Sequence, residues 1–98
     1  MDRDEFNRIT RALADPTRME IFERIASEPE VRCAILAREF TVTQPTISHH
    51  IKELSTAGLI KSRRESKYFF FWVNVPVWTE YLAELNRRVP VGHQTATG

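Results

Sequence analysis

The apolar period of this chain changes from helical to strand-like at Gly58, and that change limits the folds open to it. Before Gly58, apolar residues recur at three- and four-residue spacing, as on one face of an α-helix; after it, "LIKSRRESKYFFFWVNV" alternates as strands do. Helical pattern first and hairpin pattern second argues for helices followed by a β-hairpin. With 98 residues, 42% of them hydrophobic, there is material for one domain with one modest core. The spacing places that domain at 1–89, followed by a small-residue, polar segment, 90–98, that reads as a disordered tail.

Local signals divide the helical part. Phe6, Ile9 and Leu13 predict an amphipathic helix over 4–14. Asp15-Pro16 reads as an N-cap followed by proline at the first helical position, opening a second helix with Met19, Ile21, Phe22 and Ile25 on its buried side. Ser27-Glu28-Pro29 repeats the device and predicts a third helix from Pro29, with Val31, Leu36 and Phe40 as its apolar contacts. Thr43 caps a fourth, over 44–57, and Gly58 ends it. Two strands follow, 59–64 and 68–75, joined by the turn Glu65-Ser66-Lys67. Their alternation sets Phe69, Phe71 and Val73 on one face and Tyr68, Phe70 and Trp72 on the other. Pro76 permits a last helix with Trp78, Leu82, Leu85 and Val89 as its stripe. The expected architecture is mainly α with a small β-hairpin, a winged helix-turn-helix of four helices, a two-stranded wing and a C-terminal helix.

Charge follows position. Residues 1–40 hold seven Arg against nine Asp or Glu, net −2; residues 41–74 hold five Lys or Arg against two Glu, net +3; the remainder balances. The positive third contains both the fourth helix and the wing. On that helix, at about 100° per residue, Ile51 and Leu54 lie within about 40° of Ile47 and form the core face. His50 lies about 60° aside and is expected to be a structural side chain flanking the core. Pro45, Ser48, His49 and Lys52 point away from the core, between about 100° and 200°. Adjacent histidines cannot close on one metal as an i, i+4 pair does. Hydroxyl, imidazole and ammonium groups near a helix N-terminus instead suit base edges and phosphates of double-stranded DNA. Lys61, Arg63, Arg64 and Lys67 add the wing's cations to Lys52, which weighs against an ordinary solvated face.

These residues carry a family resemblance. "LADPTRMEIFERI", "TVTQPTISHHIKELSTAGLI" and "SRRESKYFFF" resemble, in order and spacing, the second helix, recognition helix and wing of the ArsR/SmtB-type bacterial transcriptional repressors. The resemblance covers about 13–73. It implies a homodimer joined through its first and last helices, bound to an imperfect inverted repeat and released by an inducer. It places Gln44, Thr46, Ser48 and His49 at or near the major groove and Arg63, Arg64 and Lys67 beside the minor groove or backbone; Thr43, at the cap of the same helix, is a further DNA-binding candidate. Phe6, Ile9, Trp78, Tyr81, Leu82 and Leu85 are the candidate dimer seam, the alternative being that some of them are ordinary core of the single chain.

The departures from the family pattern are equally specific. Its thiol-based metal sensors carry a Cys-x-Cys pair in the third helix; aligned on Glu30 and Leu36, those positions here are Arg32 and Ala34, with Cys33 on the intervening apolar position, where it is expected to pack. The last helix offers Glu80 and Glu84 but no imidazole or thiolate, a poor transition-metal set. No metal or other cofactor is expected, and His93 falls in the tail. Tyr68, Phe70 and Trp72 either lie under the last helix or a partner chain, or line a patch for a small-molecule or protein effector. The chain lacks an activated nucleophile pair and a glycine-rich phosphate loop, so an enzyme is not expected. Neither a membrane span nor a signal peptide is apparent, which makes the cytosol the default compartment. The competing reading is a winged-helix module that binds protein and not DNA.

Overall fold

The computed structural model describes residues 1–91. The segment 92–98, including His93 and most of the expected tail, lies outside the described residues. Five helices and three strands follow one another as α1 (Arg3–Leu13), α2 (Pro16–Ala26), β1 (Val31–Arg32), α3 (Cys33–Glu39), α4 (Gln44–Thr56), β2 (Ile60–Glu65), β3 (Tyr68–Val73) and α5 (Val75–Arg88). Side-chain caps set the starts of α1, α2 and α4. The Asp2 carboxylate accepts from the Glu5 amide at 2.8 Å, and Asp15 accepts from the Arg18 amide at 2.9 Å with Pro16 in the first turn. Thr43 accepts from the Thr46 amide at 3.4 Å, and its hydroxyl meets that of Thr46 at 2.9 Å.

Gly58 stops α4 as its position suggests. Its φ of +80° is left-handed, the Leu59 amide donates to the Leu54 carbonyl and the Gly58 amide to that of Ser55, both at 3.0 Å. These are the paired bonds of a Schellman cap. The turn delivers the chain into β2, and Asn74 closes the loop from the other side. Its amide donates to the Leu59 carbonyl at 2.9 Å and its side-chain Nδ2 to the Gly58 carbonyl at 3.0 Å. The end of α4, the base of the hairpin and the start of α5 therefore meet at one hydrogen-bonded joint.

The third helix differs from the sequence expectation. No helix starts at Pro29; Val31 and Arg32 pair antiparallel with Phe71 and Phe70, and α3 starts only at Cys33. The sheet thus has three strands, in the order β1-β3-β2, in place of a two-stranded wing alone. The reason is long-range: as a strand, Val31 buries its side chain against the core at 2% exposure and its backbone completes the edge of β3. Proline's local helix signal does not outweigh that pairing.

The core lies where α2, α3, α4 and the inner sheet face meet. Ile21, Ile25, Leu36, Ile47, Leu54 and Leu59 are fully enclosed, with Phe22 and Phe71 beside them. α1 and α5 pack on one flank through an aromatic chain: Phe6 to Tyr81 at 5.2 Å, Tyr81 to Trp78 at 5.9 Å and Trp78 to Phe22 at 5.3 Å. This leaves the outward face of α4 and the hairpin free to form the site.

Candidate nucleic-acid interface

The structure separates the two histidines of α4 by environment. His50 is buried at 6% exposure, and its Nδ1 accepts from the Arg18 Nε at 3.2 Å, while a second Arg18 nitrogen donates to the Ala12 carbonyl at 3.3 Å. An imidazole accepting at Nδ1 is neutral. Burial pushes its pKa below the ordinary 6.5, opposed by the Asp15 carboxylate and reinforced by Arg18 and His49. His49 is exposed, and its ring centroid is 5.9 Å from that of His50. One ring ties α4 to α2; the other is available.

Around His49, the exposed side chains Thr43, Gln44, Pro45, Ser48 and Lys52 occupy the outward side of α4 and its first turn, with Thr46 half-buried among them. Lys52 has no ion pair among the described residues. The wing's cations divide according to the pleat. Pairing sets Arg64 opposite Phe69 and Ser62 opposite Phe71, on the face turned to α4. Arg64 lies over the Phe69 ring at 5.6 Å, and its Nε donates to the Ser66 carbonyl at 2.8 Å, bracing a tight two-residue turn in which Ser66 takes φ +58°. Lys67 sits at that tip, 5.7 Å from the Tyr68 ring centre.

Lys61 and Arg63 project from the opposite face, where they pair with Trp72 and Phe70. Arg63 is heavily engaged there. Its guanidinium donates to Glu30 at 2.7 and 3.0 Å and to Glu65 at 2.9 Å, and it stacks over Phe70 at 4.2 Å. The hydrogen bonds from Arg63 hold the Glu30 carboxyl below its usual range. The sequence signal that brought Arg63 together with Arg64, their adjacency in a basic run, cannot register a carboxylate 33 residues away.

Two cations escape that signal. Arg32 and Arg38 line an open hollow of about 540 Å³ with Gln44, Lys67, Tyr68 and Phe69, between α3 and the wing tip. They are hidden in a stretch whose net charge is negative. Two of the stretch's carboxylates are held elsewhere, since Arg24 bridges Glu28 at 2.6 Å and Glu39 at 2.7 Å. Cys33 also corrects its expectation: it is only half-buried, at the edge of this hollow and of a second one against α4. Burial still pushes its thiol up, which disfavours the reactive thiolate.

The expected seam residues are also divided. Ile9 and Tyr81 are buried within the chain itself, the Tyr81 hydroxyl 2.8 Å from that of Thr10. Phe6 and Trp78 are half-buried, with Arg88 4.0 Å over the Phe6 ring. Leu82 and Leu85 remain 43% and 37% exposed on α5. Beside them Glu84 is enclosed and ion-paired to Arg87 and Arg88, whose hydrogen bonds hold its carboxyl down at about 2. No helix among the described residues is long and apolar enough to cross a membrane.

Known proteins share both this fold and its sequence pattern. A helix-turn-helix domain family matches residues 13–63, the span from the end of α1 through most of β2. An arsenical resistance operon repressor of Staphylococcus xylosus is 29% identical over 91 residues, covering 93% of this chain and 83% of that one. The chain belongs to the ArsR-type winged helix-turn-helix transcriptional regulators. An uncharacterised helix-turn-helix regulator of Methanocaldococcus jannaschii is 35% identical over 65 residues, 66% of this chain and 73% of its own. The fold of this ArsR-type regulator agrees with the crystal structure of an ArsR family regulator at TM-score 0.82 and 24% identity, over 98% of both chains. It also agrees with a homodimeric winged helix-turn-helix DNA-binding domain from Mycobacterium bovis at TM-score 0.70 and 22% identity, over 97% of this chain and 89% of that one. This is a family of regulators and not of enzymes.

Proposed function

We propose that this ArsR-type regulator is a homodimeric repressor that sets α4 in the major groove of an inverted-repeat operator and is released by an inducer other than a metal ion. The observation that carries the reading is the shared orientation of Ser48, His49 and Lys52 with Arg64 and Lys67, bordered by Arg32 and Arg38. Gln44, Thr46, Ser48 and His49 would meet base edges, with Thr43 and Pro45 packed at the helix entry; Lys52, Arg64, Lys67 and Arg38 would meet phosphate, while Arg32, paired with Phe70 and 5.4 Å over the Tyr68 ring, borders them. Lys61 and Arg63 stand on the far face and would act on the flanking backbone only at longer range.

Dimerisation is supported by the exposed leucines of α5, continuous with half-buried Phe6 and Trp78, and by the homodimeric neighbour from Mycobacterium bovis. Such a dimer presents its reading helices about 34 Å apart, one DNA turn. Arginine and alanine at positions 32 and 34, where thiol-based sensors have cysteines, favour a non-metal signal.

The test is fluorescence anisotropy on the DNA upstream of the protein's own gene, run across salt. Neutralising roughly 6 to 8 phosphates gives a log-log slope of about −5 to −7. An affinity that does not change with salt, or no binding beyond that to random duplex, overturns the reading. Light scattering of the purified chain decides the dimer, with Leu82→Glu expected to yield monomers.

A further inference from the structure

Phe69 is an aromatic residue that DNA reading leaves unexplained. It is 44% exposed on the α4-facing side of the wing, two residues from Phe71, which is buried at 5%. Between them and α4 lies an open hollow of about 300 Å³, a volume at the lower end of small-molecule sites (~300–1,000 Å³). Its walls have two chemistries. Ile51, Cys33, Phe69 and Phe71 make an apolar floor, while Lys52 and the hydroxyls of Ser48, Ser55 and Ser62 make one polar side.

Among the described residues, no carboxylate lines this hollow, nor the cationic one that adjoins it through Cys33 and Phe69. The charged groups around it are Lys52 from α4 and Arg64 over the Phe69 ring, with Arg32, Arg38 and Lys67 next door. These charges all have the same sign, and the neutral Cys33 thiol adds none. Phosphate or sulfate alone would satisfy the lysine but gain nothing from the aromatic floor. A neutral hydrocarbon would gain nothing from Lys52 and the three hydroxyls, which would stay with water.

We infer that the hollow between α4 and the inner face of the wing is an effector site for a small aromatic carboxylate, its ring on Phe69 and Phe71 and its carboxylate on Lys52. Because Ser48 and Lys52 belong to both this hollow and the reading face, a ligand seated there excludes DNA directly. That last step rests on the DNA-binding reading above; the site itself does not.

The probe is 2-naphthoate, titrated into the full chain without DNA at neutral pH and followed by amide chemical shifts. Saturable shifts should map to Ser48, Ser55, Ser62 and Phe69. Lys52→Gln and Phe69→Ala should each weaken binding about tenfold, and uncharged 2-naphthol should bind about tenfold more weakly, as loss of a charge-assisted bond implies. Lys52→Arg should restore most of the affinity. Both sites of substitution are exposed, so these variants keep the core. Shifts confined to Leu82 and Leu85 of α5, or equal binding by Lys52→Gln, overturn the site. With the site established, 2-naphthoate should raise the apparent Kd for upstream DNA in proportion to its occupancy. An unchanged DNA affinity overturns the exclusion step alone, whereas a chain that binds naphthoate in the hollow but never DNA overturns the function proposed above and leaves the site standing.

Discussion

The two faces of the hairpin are made of the same materials and are put to different uses. Each carries aromatics on β3 opposite basic residues on β2. On the outer face, Arg63 is held by Glu30 and Glu65 and flattened on Phe70, so its charge is neutralised where it stands. On the inner face, Arg64 has no carboxylate partner among the described residues and donates instead to a backbone carbonyl of the turn. The difference comes from the carboxylates and not from the cations. Position in a basic run therefore says less about whether a cation is free to meet a partner than the side of the sheet on which the nearest acid lies. The same division appears on α4, where His50 serves the core and His49 faces outward.

The sharpest way to break this comparison is by stability. Phe71→Ala empties an enclosed position and should cost about 3–5 kcal/mol in denaturant unfolding, whereas Phe70→Ala, half-exposed beneath Arg63, should cost clearly less. Equal losses would mean that the outer face is as firmly packed as the inner. Next comes the reading helix: His49→Ala should weaken operator binding by about 1–3 kcal/mol and relax preference at one base pair, with the melting temperature little changed. A uniform loss on every sequence would make His49 a phosphate ligand.

A smaller effect separates the two arginines. Arg64→Ala should lower DNA affinity by about 1 kcal/mol and make the salt slope shallower by about 1 for each phosphate it no longer neutralises. Arg63→Ala should leave both nearly unchanged. The reverse order would show that Arg63 leaves Glu30 when DNA arrives. The smallest expected effect is a change in pH dependence. The folded pKa of His50 lies below its ordinary 6.5, so the protein binds fewer protons there when folded; its stabilising contribution is complete above about 6.5 and is lost as pH falls toward the depressed folded value. His50→Gln should flatten that part of the stability curve, measured by thermal melts between pH 5 and 7.5, roughly the window of imidazole titration. His49→Ala should retain it.

Legibility in the sequence depends on range. Asp15-Pro16, Thr43 and Gly58 act within four residues of their targets, and each appears where the structure has it. The inward turn of His50 and the outward turn of His49 follow from helical angle alone. β1 is not legible, because what makes Val31 a strand residue is Phe71, forty positions later. Arg63 falls in with Arg64 for the same reason: Glu30 cannot be paired with it by spacing. Arg32 and Arg38 are lost in a net charge summed over forty residues, which does not show that Glu28 and Glu39 turn to Arg24. Among the seam residues, Ile9 and Tyr81 show that an apolar stripe on a terminal helix can already be satisfied within one chain.

The joint at Gly58 and Asn74 has a mechanical consequence. Three hydrogen bonds there tie the end of α4 to the root of the hairpin and the first turn of α5: the Asn74 side chain to the Gly58 carbonyl, the Asn74 amide to the Leu59 carbonyl and the Trp78 amide to the Asn74 carbonyl. The reading helix, the wing and the helix bearing the exposed leucines thus share a single pivot. In the homodimer proposed above, a tilt of one protomer's α5 against its partner would swing its α4 and wing as one arm, and the spacing of the two arms would then be set at this knuckle.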